Sequence, residues 1–81
     1  MNYIVYIVEC NDSTLYTGIA TDIQRRLYEH NNLKKGAKYT KIRRPVKLVY
    51  SEIQDDRSMA TKREYAIKKL TREKKIELIN A

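Results

Sequence analysis

The sequence predicts an α+β domain in which a small three-stranded antiparallel sheet is flanked by helices in the order β-β-α-β-α-α. Two β-branched and aromatic segments lie on either side of a short polar turn near the N-terminus. A third alternating segment follows the only proline, and the remaining segments repeat their apolar residues at helical spacing. With 81 residues, the chain is expected to form a single domain over residues 1–81.

The three strands are predicted from their patterns of apolar residues. The segment NYIVYIVEC carries apolar side chains on both faces, which is typical of a central strand covered on both sides. Asn11, Asp12 and Ser13 supply turn chemistry, so LYTGIA is expected to return as the second strand of a hairpin. After Pro45, the alternation in VKLVYSEI predicts the third strand.

Helix-capping residues precede each of three helical segments. Side chains of this kind accept hydrogen bonds from the first backbone N–H groups of a helix. Between the first helix and Pro45, the segment LKKGAKYTKIRRP is a basic connection with a short helical turn expected near Ala37. The predicted caps are Thr21 or Asp22, then Asp55 or Asp56, then Thr71.

The composition points to a protein of the reducing cytoplasm that does not bind a membrane. Cys10 is the only cysteine, which excludes an internal disulfide and favours a structural role at the end of a strand. No segment approaches the roughly 18 unbroken apolar residues of a membrane span. The N-terminus also lacks a basic region followed by a long apolar run, so nothing indicates secretion.

Positive charge is concentrated in one part of the chain. The sequence has 17 Lys and Arg against 10 Asp and Glu, a net charge of +7, and no acidic residue between Glu29 and Glu52. A surface of one sign attracts polyanions and predicts salt-dependent binding of nucleic acid. A solvated surface, or contact with anionic lipid, is the alternative. The candidate nucleic-acid-binding residues are Lys34, Lys35, Lys38, Lys41, Arg43, Arg44 and Lys47.

Two tripeptides, an Arg–His pair and a later glutamate occur in a characteristic order. The tripeptides are Ile4-Val5-Tyr6 and Tyr16-Thr17-Gly18, followed by Arg26, His30 and Glu64. With these residues the chain resembles the GIY-YIG nuclease superfamily. The pattern Y-T-G-I … R-R-L … G-A-K-Y-T … R-R-P-V is closest to its short stand-alone bacterial members. Ile4 departs from the family pattern, which has glycine at this position.

The resemblance implies a metal-dependent nuclease that cleaves phosphodiester bonds in DNA with one Mg²⁺ or Mn²⁺ ion held by Glu64. It favours Tyr6 as the general base and Tyr16 as a ligand of the phosphate or the water. The sequence shows no DNA-targeting domain, so little intrinsic sequence specificity is expected, with a protein partner as a further source of it. The oligomeric state stays open. The implied catalytic residues are Tyr6, Tyr16, Arg26, His30 and Glu64.

The residues themselves support this assignment, although each also has a simpler interpretation. Tyr6 and Tyr16 lie on paired strands, and Arg26 and His30 share a helix face, so convergence of all five side chains on one concave face is expected. Gly18 is expected to keep the surface open for a phosphate.

The simpler interpretations need no catalysis. The tyrosines are then core residues, Arg26 pairs with Asp22, His30 caps its helix and Glu64 pairs with Lys68. The corresponding alternative function is a non-catalytic nucleic-acid-binding module.

Overall fold

A computed structural model describes residues 2–33 and 37–81. The fold class is confirmed: a three-stranded antiparallel sheet is flanked by helices in the predicted order, including the short helical turn expected near Ala37. No helix among the described residues is long and apolar enough to cross a lipid bilayer. The elements are β1 (Tyr3–Glu9), β2 (Leu15–Ala20), α1 (Ile23–Asn32), α2 (Lys38–Lys41), β3 (Lys47–Gln54), α3 (Arg57–Lys68) and α4 (Arg72–Asn80).

The first strand lies at the centre of the sheet, as its two apolar faces predict. The strand order is β2-β1-β3, and both neighbours run antiparallel to β1. Tyr6 pairs with Gly18 of β2 and with Ser51 of β3, and the register to β3 shifts after Ile7. This register places the two tripeptides side by side.

The two faces of the sheet support different helices. Val5 and Ile7 pack with Ala60 and Ile67 of α3, and α4 adds to the same cluster. On the other face, Tyr6 and Val8 lie under α1, in contact with Tyr16, Ile23 and Leu27, members of a cluster that also includes Cys10 and Val46. The buried Cys10 supports the structural role expected for its thiol.

Each long helix begins at one of the predicted caps. The Asp22 side chain accepts a hydrogen bond from the Arg25 backbone N–H, and Asp56 does the same for Met59. Thr71 accepts from Lys74 at the start of α4. These bonds satisfy backbone donors that have no partner within the helix.

The basic connection is held against the end of α1 by polar contacts. The Asn31 amide bonds Val46 in both directions, accepting from its N–H at 2.7 Å and donating to its carbonyl oxygen at 3.1 Å. The Arg44 guanidinium donates to three carbonyl oxygens at the C-terminal end of α1, and the Arg44–Pro45 peptide is cis. Two of the predicted nucleic-acid-binding residues, Lys34 and Lys35, lie outside the described residues.

Candidate active site

The centre of the candidate site is a buried hydrogen bond between the first tripeptide and α1. The Tyr6 hydroxyl oxygen lies 2.6 Å from Nε2 of His30. Tyr6 is 1% exposed and His30 is fully buried, so water does not compete for this contact. His30 therefore does not cap its helix. That position is taken by Arg44, whose guanidinium donates to the last carbonyls of α1.

The second ring nitrogen of His30 also has a buried partner. Nδ1 lies 2.8 Å from Oγ1 of Thr40, the buried residue of α2. The Thr40 hydroxyl in turn donates to the Ala37 carbonyl oxygen at 2.9 Å. Both edges of the imidazole are thus held, one by the sheet and one by the basic connection.

Burial shifts the pKa values of Tyr6 and His30 in opposite directions. It raises the pKa of Tyr6 to about 12, against the smaller opposing effect of a hydrogen bond and a positive charge from Arg26. Burial, with the Arg26 charge adding to it, lowers the pKa of His30 to about 4. At neutral pH the pair therefore consists of a protonated tyrosine and an uncharged imidazole.

Gly18 allows this arrangement by leaving room for the tyrosine ring. A Cβ atom at Gly18 would lie 2.6 Å from the Tyr6 hydroxyl oxygen and 2.8 Å from its Cζ. Gly18 pairs directly with Tyr6 across the two strands. The space expected to admit a phosphate is thus occupied by the Tyr6 side chain.

The second tyrosine also contacts the imidazole. The Tyr16 and His30 ring centroids are 5.5 Å apart in an edge-on arrangement. The ring of Tyr39 stacks on Tyr16 at 5.8 Å, and the Arg43 guanidinium lies 4.0 Å from the Tyr39 centroid. Tyr16 keeps part of its surface exposed, whereas Tyr6 is enclosed.

Arg26 joins the site from α1, but its ion-pair partner is not the expected one. It bonds Glu29 at 2.9 Å, and Glu29 also pairs with Arg25 at 3.3 Å. Asp22 instead accepts the Arg25 backbone N–H. The Arg26 side chain keeps 26% of its surface exposed. An open depression beside it is lined by Ile19, Ala20, Thr21, Asp22, Arg25, Arg26 and Glu29.

Glu64 approaches from a different direction from the other four residues. It lies on α3, which packs on the sheet face opposite α1, and its carboxylate pairs with Lys68 at 3.3 Å. Its negative charge is among the causes that raise the pKa of Tyr6, so the carboxylate lies within electrostatic reach of the hydroxyl. The structure therefore groups Tyr6, Tyr16, Arg26 and His30 closely, with Glu64 linked to them through its charge.

The Glu64 carboxylate fits a hard cation for which water and substrate provide most of the ligands. Among residues 2–33 and 37–81, no three His, Cys, Asp or Glu side chains form a metal-binding group. Mg²⁺ is commonly bound by one or two carboxylates together with substrate phosphates rather than by a complete protein cage. A single Glu64 carboxylate, 20% exposed, is compatible with this mode.

The positive residues of the basic connection divide into two groups. Arg43 bonds Asp12 at 3.1 Å and the Tyr39 carbonyl oxygen at 2.9 Å, and Arg44 is bonded to the end of α1. These guanidinium groups hold the fold together. Three lysines are instead exposed to solvent, namely Lys38 and Lys41 of the connection and Lys47 at the start of β3.

Two residues of the site were not identified from the sequence. Glu29 is buried between two arginines of its own helix, and its spacing of three and four residues from them was an available signal. Thr40 lies ten positions from His30, on another element, and nothing in its local sequence indicates the contact.

Comparison with known proteins identifies the family. The model of the GIY-YIG catalytic domain matches residues 2–77, so the chain belongs to the GIY-YIG family, as its tripeptides predict. The chain is 59% identical over 76 residues to a UPF0213 protein of Staphylococcus saprophyticus, covering 94% of this chain and 92% of that protein. It is 60% identical over 79 residues to a UPF0213 protein of Desulfotalea psychrophila, covering 98% and 72% respectively.

Two solution NMR structures have the same fold. The UPF0213 protein of Bacillus halodurans is 44% identical, with a TM-score of 0.63 over 99% of this chain and 84% of that one. A protein of E. faecalis is 43% identical, with a TM-score of 0.68 and the same coverage. The resemblance to the short bacterial members is therefore confirmed.

Proposed function

We propose that this protein is a metal-dependent nuclease that hydrolyses phosphodiester bonds in DNA. The observation that carries the proposal is the buried Tyr6–His30 hydrogen bond, with Arg26 acting on the Tyr6 hydroxyl, in a chain of the GIY-YIG family. A tyrosine with a purely structural role in the core needs only one hydrogen-bond partner for its hydroxyl. A neutral imidazole and a guanidinium around the same phenol are the groups that proton transfer beside an anion requires.

The proposed chemistry moves two protons. A water oxygen forms a bond to phosphorus while the bond from phosphorus to the leaving sugar oxygen breaks. The proton of that water passes to the Tyr6 oxygen while the Tyr6 proton passes to Nε2 of His30, and the imidazolium formed in this way then releases its proton to solvent. The leaving oxygen takes a proton from solvent. His30 thus supplies the help that a phenol of high pKa needs to act as a base.

Arg26 stabilises negative charge in this proposal. Its guanidinium lowers the cost of a transient tyrosinate at Tyr6 and remains partly exposed toward the depression beside α1. Tyr16, which contacts the imidazole and is more exposed than Tyr6, is the proposed ligand of the phosphate or the water.

Glu64 is the proposed metal ligand. A bound Mg²⁺ or Mn²⁺ ion would act as a Lewis acid on a phosphate oxygen. The Glu64 carboxylate supplies a hard oxygen donor, and its ion pair with the half-exposed Lys68 is available for exchange with a cation. One ion is proposed because this donor set offers one carboxylate.

The exposed lysines of the basic connection are the proposed contacts to the nucleic-acid backbone. Phosphate contacts position a duplex without reading its sequence, so little intrinsic specificity follows. The same proposal includes a protein partner that selects the target. It also includes a location in the cytoplasm.

The test is single-turnover cleavage of labelled duplex, branched and single-stranded DNA, with matched RNA, in Mg²⁺, Mn²⁺ or EDTA. Cleavage should require metal and disappear in Glu64→Ala. Tyr6→Phe should lose about 10²–10⁴-fold in rate, more than Tyr16→Phe, while Tyr28→Phe on the exposed side of α1 serves as the matched control. A larger loss in Tyr16→Phe would transfer the role of base to Tyr16.

Arg26→Ala separates chemistry from binding. Loss of one preorganised donor typically costs about 10²–10³-fold in rate, while several other cations maintain the affinity for DNA. If no substrate is cut with either metal, the alternative is a non-catalytic nucleic-acid-binding module, which the exposed lysines alone would support.

A further inference from the structure

The imidazole of His30 has two possible neutral tautomers, and its neighbours distinguish between them. A threonine hydroxyl has one hydrogen, and that of Thr40 is directed at the Ala37 carbonyl oxygen, 2.9 Å away. Toward Nδ1 of His30, 2.8 Å away, the same oxygen is therefore an acceptor. The hydrogen of the neutral ring must then be on Nδ1.

The other edge of the ring leads to the same assignment. With Nδ1 protonated, Nε2 carries a lone pair and accepts a hydrogen bond from the Tyr6 hydroxyl at 2.6 Å. Arg26, which only donates, acts on the Tyr6 oxygen and leaves the tyrosine hydrogen free to point at Nε2. One consistent direction of donation thus runs from Tyr6 through His30 and Thr40 to Ala37.

We propose that Thr40 is a positioning residue that holds His30 in the Nδ1–H tautomer and so keeps Nε2 available for the Tyr6 proton. Thr40 is fully buried, lies on a different element from His30, and is linked to the Tyr6 hydroxyl through the imidazole. The catalytic consequence rests on the proposed function, whereas the tautomer itself does not. A histidine in the wrong tautomer keeps its position and loses its capacity as an acceptor, which is costly in proton-transfer sites.

The composition of the chain makes the tautomer directly measurable. His30 is the only histidine, so the ring nitrogens of a ¹⁵N-labelled sample give the signals of one imidazole. Two-bond ¹H–¹⁵N correlation spectra at neutral pH should show the hydrogen on Nδ1 in the parent protein. Hydrogen on Nε2 in the parent would overturn the proposal without any variant.

Two substitutions test the role of Thr40. Thr40→Val keeps the shape and removes the acceptor, so His30 should change to the Nε2–H tautomer or to a mixture. Thr40→Ser keeps the hydroxyl and should restore Nδ1–H. Backbone amide spectra of both variants identify the folded state in which the ring is measured. An unchanged Nδ1–H ring in folded Thr40→Val would show that Thr40 does not hold the tautomer.

Turnover connects the tautomer to the chemistry. Thr40→Val should lower kcat by about 10²-fold, the lower end of the contribution of a positioned proton acceptor, with KM unchanged, and Thr40→Ser should recover most of the rate. A changed tautomer with an unchanged kcat would overturn the catalytic part of the inference. A parent that shows Nδ1–H but cuts nothing would overturn the proposed nuclease function and leave the tautomer assignment standing.

Discussion

The absence of a side chain at Gly18 leaves the space that the Tyr6 ring occupies in the site. The Tyr6 ring lies across this position and its hydroxyl is held by His30, so the ring has no free direction in which to move. Glycine is therefore required at this position for space, since Gly18 lies within a strand and pairs directly with Tyr6.

Gly18→Ala should destabilise the fold by about 1–3 kcal/mol, the usual cost of overpacking a buried site, and should weaken the Tyr6–His30 contact. Urea unfolding measures the cost, and the imidazole ¹⁵N shifts report the contact. In a Tyr6→Val background the same substitution should cost much less, since the clashing atoms are gone. An equal cost in both backgrounds would assign the effect to the strand backbone.

The buried His30 predicts a specific dependence of stability on pH. Its pKa is about 4 in the folded chain and near 6.5 when unfolded. As pH falls from about 6.5 to about 4, the unfolded chain gains a proton that the folded chain does not, so the free energy of unfolding decreases, by up to about 3 kcal/mol. Above pH 6.5 and below pH 4, His30 adds no further change.

This dependence is measured by urea unfolding of the parent and of His30→Gln at several pH values. The glutamine variant retains every other titrating group, so the difference between the two curves isolates the histidine. That difference should narrow steadily as pH falls between 6.5 and 4. A constant difference over this range would show that the imidazole titrates equally in both states.

At the scale of single elements, the C-terminal end of α1 is completed by a residue from the following connection. Arg44 donates to the carbonyl oxygens of Glu29, His30 and Leu33 at the end of the helix, where the carbonyls of the last turn lack further helical N–H donors. A positive charge at this end is also favourable to the helix dipole. The arginine that resembled a phosphate contact in the sequence is thus part of the scaffold that positions His30.

Arg44→Ala should lower the free energy of unfolding by about 1.5–3 kcal/mol, the range for hydrogen bonds to a charged group. Arg44→Lys should not restore it fully, because one ammonium does not reproduce the guanidinium fork. Lys47→Ala is the matched control, with a side chain 74% exposed. If Arg44→Ala unfolded at the same urea concentration as Lys47→Ala, the three carbonyl contacts would carry no stability.

For the whole molecule, the distribution of charge predicts which face meets a polyanion. Lys38 and Lys41 lie on α2, which contacts α1 on the side of the sheet that carries Arg26. The lysines of α3 and α4 cover the other side, and Lys47 points there too, because it pairs with Glu9 across the strands. DNA affinity should fall steeply as salt rises, because phosphate contacts release bound counterions.

Changing Lys38 and Lys41 together to Ser should reduce the slope of log K against log salt by about 1 for each lysine that contacts a phosphate. Changing Lys62 and Lys74 to Ser removes the same charge from the opposite side and should alter the slope less. Fluorescence anisotropy over a salt series compares the two variants. Equal losses would indicate that net charge, and not this face, attracts DNA.

The local pattern of the sequence was sufficient for the elements and their order. Side-chain alternation distinguishes strands, capping aspartates mark helix starts, and the spacing of Arg26 and His30 places both on one face of α1, all within a few neighbouring residues. The two tripeptides could be aligned because a short hairpin fixes their register.

The contacts of His30 and Arg44 with other elements were determined only by the tertiary structure. The contact of His30 with Tyr6 joins positions 24 apart, and its contact with Thr40 joins positions 10 apart. Arg44 reaches α1 across 11 to 15 positions, so its role as a helix cap has no local signal. Periodicity constrains which way a side chain points along its own element, whereas its partner depends on how the elements pack. The family and its motif residues could therefore be predicted from the sequence, whereas the hydrogen bonds that join Tyr6, His30 and Thr40 could not.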